Sequence, residues 1–150
     1  MLRQFLVGAA ASGCNIAIHA LVMVAVIRVT RRADELATAY QTLRLIAVMI
    51  AAVTVLMIAH LAEIMVWALT YGILGVTPEG ADLVYFAFVN YTTLGYGDVT
   101  PVKRWNLLGP MTAMNGVLLF GWSTAVIFEV LRMTLLAGDE GVQPKRGWSK

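Results

Sequence analysis

Three stretches of this sequence stay apolar for longer than the interior of a small soluble domain can use: Phe5 to Val29, Leu43 to Leu69 and Pro101 to Leu136. A helix needs about 20 apolar residues to cross the hydrocarbon core of a bilayer. Each stretch reaches that length, and none has the short, turn-bounded form of a strand. All three are predicted to be spanning helices. Composition agrees, since 59% of the 150 residues are hydrophobic and only 13% are charged. Folded in water, a chain of this size would still leave roughly a third of its surface outside, with too few polar groups to cover it. The expected fold class is an all-α membrane protein. A fourth apolar run, Ala81 to Thr92, would make a helix of only roughly 18 Å, too short to span, so it is expected to be re-entrant or interfacial.

Positive charge sets the expected topology. Arg28, Arg31, Arg32 and Arg44 flank the link between the first two segments, against Arg3 alone at the N-terminus. Lysine and arginine mark the cytoplasmic side. The link is therefore expected inside and the N-terminus outside. The segment Tyr71 to Thr100, which has Asp82 and Asp98 but no Lys or Arg, then faces outward. The C-terminus, with Arg132, Lys145, Arg146 and Lys150, falls inside, while Lys103 and Arg104 are a minority on the outer side. Trp67, Tyr71 and Trp105 are expected at the outer interface and Tyr40 at the inner one. Asp34 and Glu35 belong to a solvated loop or helix start, and the polar tail Gly138–Lys150 is expected to be disordered. A lipoprotein signal ending at Cys14 is the competing reading, but the chain stays apolar from Ile16 onward. One cysteine excludes an intrachain disulfide, and a net charge of +2 gives no case for a nucleic-acid partner.

The segment that carries function follows the short run: Thr92-Thr93-Leu94-Gly95-Tyr96-Gly97-Asp98. A Thr-x-Gly-Tyr-Gly string arises by chance in a chain of this length roughly once in a thousand. Stripping water from an ion is costly unless other oxygens replace it, and rings of backbone carbonyls from identical loops do this. Aligning successive carbonyls takes unusual backbone angles, which Gly95 and Gly97 tolerate. Thr93 can add its hydroxyl. The short helix has no acidic residue from Leu83 to Thr93, so its C-terminal dipole alone would favour a cation. Five residues of at most about 3.5 Å each cover half of a core of about 30 Å, so a water-filled vestibule must cover the rest.

These residues resemble the pore signature of potassium channels, and the resemblance covers about Leu43 to Leu136. It implies an outer helix, a re-entrant pore helix, a selectivity-filter loop and an inner helix in a tetrameric pore. Thr93, Leu94, Gly95, Tyr96 and Gly97 would coordinate K⁺, with Thr92 and Asp98 in support and Tyr96 packed outward against aromatics such as Tyr85 and Phe86. It does not cover the first helix, whose addition to a two-helix channel moves the N-terminus outside, as the charges also imply. Two departures stand out. Leu94 occupies a position where valine or isoleucine is commoner, and Val89 stands where some members carry a carboxylate, so Asp98 needs another donor, such as a tryptophan, Tyr85 or Asn90. Arg28, Arg31 and Arg32 cluster at one helix end, which reads as topology and not voltage sensing.

The third helix is expected to start at Thr100-Pro101 and to kink at Pro110. Gly116 and Gly121 are hinge candidates, with close packing as the alternative. Thr112, Asn115, Gly116, Leu119 and Ser123 share one face, the candidate vestibule lining. Glu129 and Arg132 are expected to form a salt bridge, or a charged ring at the pore exit. His60 and Glu63, three apart in the second helix, are intramembrane polar candidates; bracing is the expected role, with proton sensing or metal binding as alternatives. His19 is not placed level with them. Eight methionines suggest adaptable packing, not a copper site.

Residues 1–42 are thus read as an added helix and link, 43–137 as the pore domain and 138–150 as a short cytoplasmic tail. The expected protein is a passive, potassium-selective homotetrameric channel in the cell membrane. Its partners are its own copies, K⁺ and the bilayer, with no cofactor and no enzymatic constellation. A weakly selective cation channel, a non-conducting sensor or assembly subunit, and a membrane metalloenzyme using His60 and Glu63 are the alternatives.

Overall fold

A computed structural model describes residues 1–34 and 41–140. Its long helices are α1 (Leu2–Asp34), α2 (Gln41–Leu74) and α4 (Leu108–Glu140), with the short α3 (Leu83–Tyr91) and a 3₁₀ turn (Lys103–Trp105) between α2 and α4. Among the described residues there is no strand. The three long helices are apolar enough to cross a membrane, so the protein is an all-helical membrane fold. The expectations for Glu35, Tyr40 and residues 141–150 lie outside the described residues. α1 passes unbroken through Cys14, and α4 continues past residue 138.

Cross-helix contacts fix the helix directions. α1 and α4 run parallel: the Gln4 side-chain oxygen accepts from the Leu107 N–H at 2.9 Å, and Asn15 donates to Asn115 at 3.0 Å. α2 is antiparallel to both, since Arg44 reaches the Thr134 carbonyl (3.3 Å) at one end and Trp67 donates to Asn115 (3.1 Å) toward the other. The N-terminal end of α1 therefore lies at the same end of the bundle as the 75–107 segment.

Packing falls into three layers. At the loop end Ile64, Trp67, Tyr71, Phe86, Tyr91 and Leu108 form one apolar cluster; at the other end Met23, Val26, Leu56, Val126 and Val130 form a second. Buried polar side chains separate them: Asn15, His19, His60, Glu63, Asn115 and Ser123. Lipid tails are as apolar as leucine, so helices in a bilayer associate through close packing and interhelical hydrogen bonds. Both devices are present. Gly8 packs against the flexible end of the Met111 side chain, and Gly116 packs against the Tyr91 carbonyl, where backbone leaves no room for a Cβ.

Three expectations are corrected here. Trp67, Tyr71 and Trp105 are buried in the loop-end cluster, not spread in an interfacial belt. Their polar ends have internal partners, including Trp105 to the Leu74 carbonyl (3.1 Å) and Tyr71 to Thr112 (2.5 Å). The third spanning helix starts at Leu108, not at Thr100-Pro101. Residues 101–102 remain extended because the Val102 N–H donates to the Val76 carbonyl at 2.8 Å. Pro110 consequently sits in the first turn of α4, where a missing N–H leaves no helix bond unmade, and it does not kink the interior.

Candidate functional site

The 92–98 segment is shaped by α3. Asp82 caps that helix, its carboxylate accepting from the Val84 and Tyr85 N–H groups at 2.9 and 3.0 Å, a cap worth about 1 kcal/mol. At the other end the chain folds back on the last turn. The Thr92 N–H donates to Phe88, Thr93 to Asn90 and Leu94 to Val89, at 3.0, 3.0 and 2.9 Å. These bonds use up carbonyls that a helix end leaves open.

Beyond them the backbone alternates. Thr93, Gly95 and Gly97 have φ of 60°, 61° and 78°, while Leu94 and Tyr96 are not among the positive-φ residues. When left-handed residues alternate with ordinary ones, successive carbonyls swing to one side of the strand and the N–H groups to the other, the relation that creates anion nests. Glycine adopts such angles without a Cβ penalty. A Cβ at Gly95 would meet only the Thr93 carbonyl at 3.8 Å, and one at Gly97 nothing within 4 Å. Conformation, not lack of room, is what these positions demand. Thr93 is β-branched and still left-handed, a backbone state that costs on the order of 1–3 kcal/mol and is held only where surroundings enforce it.

Asp98 closes the segment. The Tyr85 hydroxyl donates to its Oδ2 at 2.6 Å, and the Val99 N–H to its Oδ1 at 3.0 Å. Of the donors considered from sequence, Tyr85 is the one used; Asn90 instead donates to the Phe86 carbonyl (2.9 Å). The Tyr85 bond holds the Asp98 carboxyl below the usual carboxylate range, and the same bond pushes the Tyr85 phenol up to about 12. Both groups lie outside the three spanning helices.

Thr92 through Asp98 are all exposed in the single chain, Tyr96 to 67%. Phe86, one of the two aromatics expected to receive Tyr96, pairs with Tyr71, their rings tilted and their centroids 5.0 Å apart.

Behind α3 lies the polar layer. Glu63, fully buried, accepts from the Tyr91 hydroxyl and is hydrogen-bonded to Nδ1 of His19 (2.7 Å) and Nδ1 of His60 (3.0 Å). Ser123 Oγ lies 2.9 Å from His60 Nε2 and 3.3 Å from His19 Nε2. The pairing of His60 with Glu63 and their contact with α3 agree with the bracing role. His19, not placed level with them from sequence, joins the same cluster.

The proposed vestibule stripe is also corrected. Thr112, Asn115, Leu119 and Ser123 are buried against the chain's own helices, and Gly116 abuts α3. The exposed face of α4 carries Met114, Val117, Leu118 and Phe128 instead. Gly121 has open space around it, and Glu129 holds Arg132 through two bonds of 2.9 and 3.0 Å. Sequence reading passed over Asn15, Tyr91 and Ser123 as a connected group. The available signal was their setting: isolated polar residues in apolar helices, with Asn15 and His19 four apart on α1 and Asn115 and Ser123 eight apart on α4.

No curated protein and no solved structure matches the chain. Residues 59–133, half of the chain, match the family described as ion channel. That match runs from the middle of α2 through α3 and the alternating loop into α4, the elements that build the site. On that match the chain belongs to the ion channel family.

Proposed function

We propose that the protein is a passive, potassium-selective channel in the cell membrane, assembled as a homotetramer with residues 43–137 forming the pore domain. The backbone carbonyls of Thr93, Leu94, Gly95, Tyr96 and Gly97 coordinate the dehydrated ion, and Thr92 and Asp98 fix the ends of the filter. The observation that carries this reading is the left-handed backbone at every second residue from Thr93 to Gly97. A lone strand of carbonyls cannot enclose an ion, and the whole 92–98 segment is exposed in one chain. Four copies around an axis supply complete rings of oxygens, and they give Tyr96 and the exposed face of α4 neighbours.

In this assembly the C-terminal ends of four α3 helices face the cavity below the filter. Each carries about half a negative charge, so the helices favour a cation without an acidic side chain. The N-terminus and the 75–107 segment share one end of the bundle, and the arginines at the facing ends of α1 and α2 (Arg28, Arg31, Arg32 and Arg44) support an outside location for it.

Flux from liposomes holding the purified protein tests the reading. We expect potassium to pass far faster than sodium. Gly95→Ala should abolish flux in folded, assembled protein, because an alanine at φ 61° costs about 1–2 kcal/mol in each of four subunits. Equal potassium and sodium rates would support the weakly selective alternative, for which Leu94 behind the filter is the favouring departure. Undiminished flux in the alanine variant would remove the loop from the conduction path.

A further inference from the structure

The cluster behind α3 has more hydrogen-bond contacts than its own protons can fill. Six contacts join its members: Glu63 to His19, to His60 and to Tyr91, the Tyr91 hydroxyl to His60 Nδ1 at 3.0 Å, and Ser123 to each histidine Nε2. With the carboxylate ionised and both imidazoles neutral, four protons are available, one each from Tyr91, Ser123, His19 and His60. His19 Nδ1 faces a carboxylate oxygen and carries its ring's proton; His60 Nδ1 faces a carboxylate oxygen and the Tyr91 hydroxyl, whose own proton goes to Glu63, so a proton on that nitrogen serves both. Both Nε2 atoms then point bare lone pairs at one serine hydroxyl, which can donate to only one of them.

A fifth proton completes the set. On either Nε2 it donates to Ser123 Oγ, whose own proton passes to the other ring. It also cancels the Glu63 charge, which otherwise stands alone in a layer where an uncompensated charge is expensive. From α1 the cluster is faced by His19, from α2 by His60 and Glu63, and from α3 by Tyr91. α4 contributes only the neutral Ser123, and its ionised pair, Glu129 and Arg132, closes on itself two turns further along. A metal ion fits the same atoms less well. Two ligands held tetrahedrally about 2.0–2.1 Å from zinc stand roughly 3.3 Å apart, whereas His19 and His60 lie 2.7 and 3.0 Å from the carboxylate oxygens.

We infer that His19, His60 and Glu63, bridged by Ser123, form a buried binding site for one proton, and that its occupancy sets the anchoring of α3. Tyr91 is the last residue of α3, and its hydroxyl ends on Glu63 while its carbonyl packs against Gly116. Loss of the proton leaves Glu63 charged and one Nε2 contact unfilled. The strained turn that starts at Thr93 follows two residues later. The effect on conduction rests on the reading of the 93–97 loop as a filter; the proton site does not.

The chain has only two histidines, so ¹⁵N-imidazole spectra of the intact protein in lipid report the cluster alone. As pH is raised, we expect one proton to be lost in one step that both rings report together. Ser123→Ala should abolish this sharing and leave one ring or neither responding; Ser123→Thr, which keeps the hydroxyl, should restore it. Glu63→Gln should lose the extra proton, and should it fail to fold, the serine pair still decides. Two neutral rings throughout, two independent steps, or a metal retained stoichiometrically by the wild type and lost in His19→Gln would overturn the proton site. Potassium flux should fall on the alkaline side of the same step in wild type and stay level in Ser123→Ala. Flux that is level through the step in wild type would overturn the coupling. Protein that conducts at no pH counts against the filter reading, and the spectra still decide the proton site.

Discussion

At the residue scale, two glycines of one helix differ in what surrounds them. A Cβ on Gly116 would run into the Tyr91 carbonyl, while Gly121 faces open space within the chain. Gly116→Ala should therefore lower thermal stability in detergent by about 1–3 kcal/mol, the usual cost of overpacking. Gly121→Ala should be neutral, or gain up to about 1 kcal/mol from helix propensity. The reverse order of melting temperatures would place the close approach of α3 and α4 elsewhere. The Tyr85–Asp98 bond makes a second prediction. Because the Asp98 carboxyl is depressed, its contribution is complete above the ordinary aspartate pKa of about 3.9 and is lost as pH falls through the lower folded value. The raised Tyr85 phenol gives the alkaline limit, since the bond ends only as pH passes about 12. Ultraviolet titration should show one more tyrosine ionising near 10 in Asp98→Asn than in wild type. An unchanged titration would show that the two side chains do not meet in solution.

At the element scale, α3 is held at both ends by single side chains. Asp82 caps its start, and Tyr91 ties its end to Glu63. Tyr91→Phe keeps the ring and removes the hydroxyl, so it isolates that tie. It should cost about 1–2 kcal/mol, the range for a hydrogen bond to a charged group inside a membrane protein, read as a lower unfolding midpoint of the purified protein. A variant as stable as wild type would contradict the bracing role. The existence of these elements was legible in the sequence because length and apolarity alone decide a spanning helix. Their starts were not. The Thr100-Pro101 pair has the form of a helix start, but a tertiary hydrogen bond from Val102 to Val76 holds the chain extended there until Leu108. His60 and Glu63 could be paired from spacing within one helix. Placing His19 beside them required the relative depth of two helices, which packing sets and periodicity does not. The vestibule stripe failed for a related reason: polarity at helical spacing identifies a face, and α1 and α2 cover that face as readily as water would.

At the scale of the whole molecule, a single chain leaves unsatisfied the two features that matter most. The 92–98 segment has a left-handed backbone at every second residue from Thr93 to Gly97 and is exposed throughout, and α4 exposes Met114, Val117, Leu118 and Phe128 on one flank. The proposed fourfold assembly would resolve both at once, giving each strand of oxygens three counterparts and the apolar flank a place beside the vestibule or a neighbour. Native mass spectrometry should accordingly give four chains of 16.3 kDa each, and a monomer as the dominant conducting species would be incompatible with a shared filter. The most direct measurement is a structure of the assembled protein in rubidium or thallium, whose anomalous scattering marks ion positions. The account predicts a file of ions on the fourfold axis, ringed by carbonyls from Thr93 to Gly97 of four subunits. Loops that stand apart from any common axis, or ions bound away from these carbonyls, would contradict it.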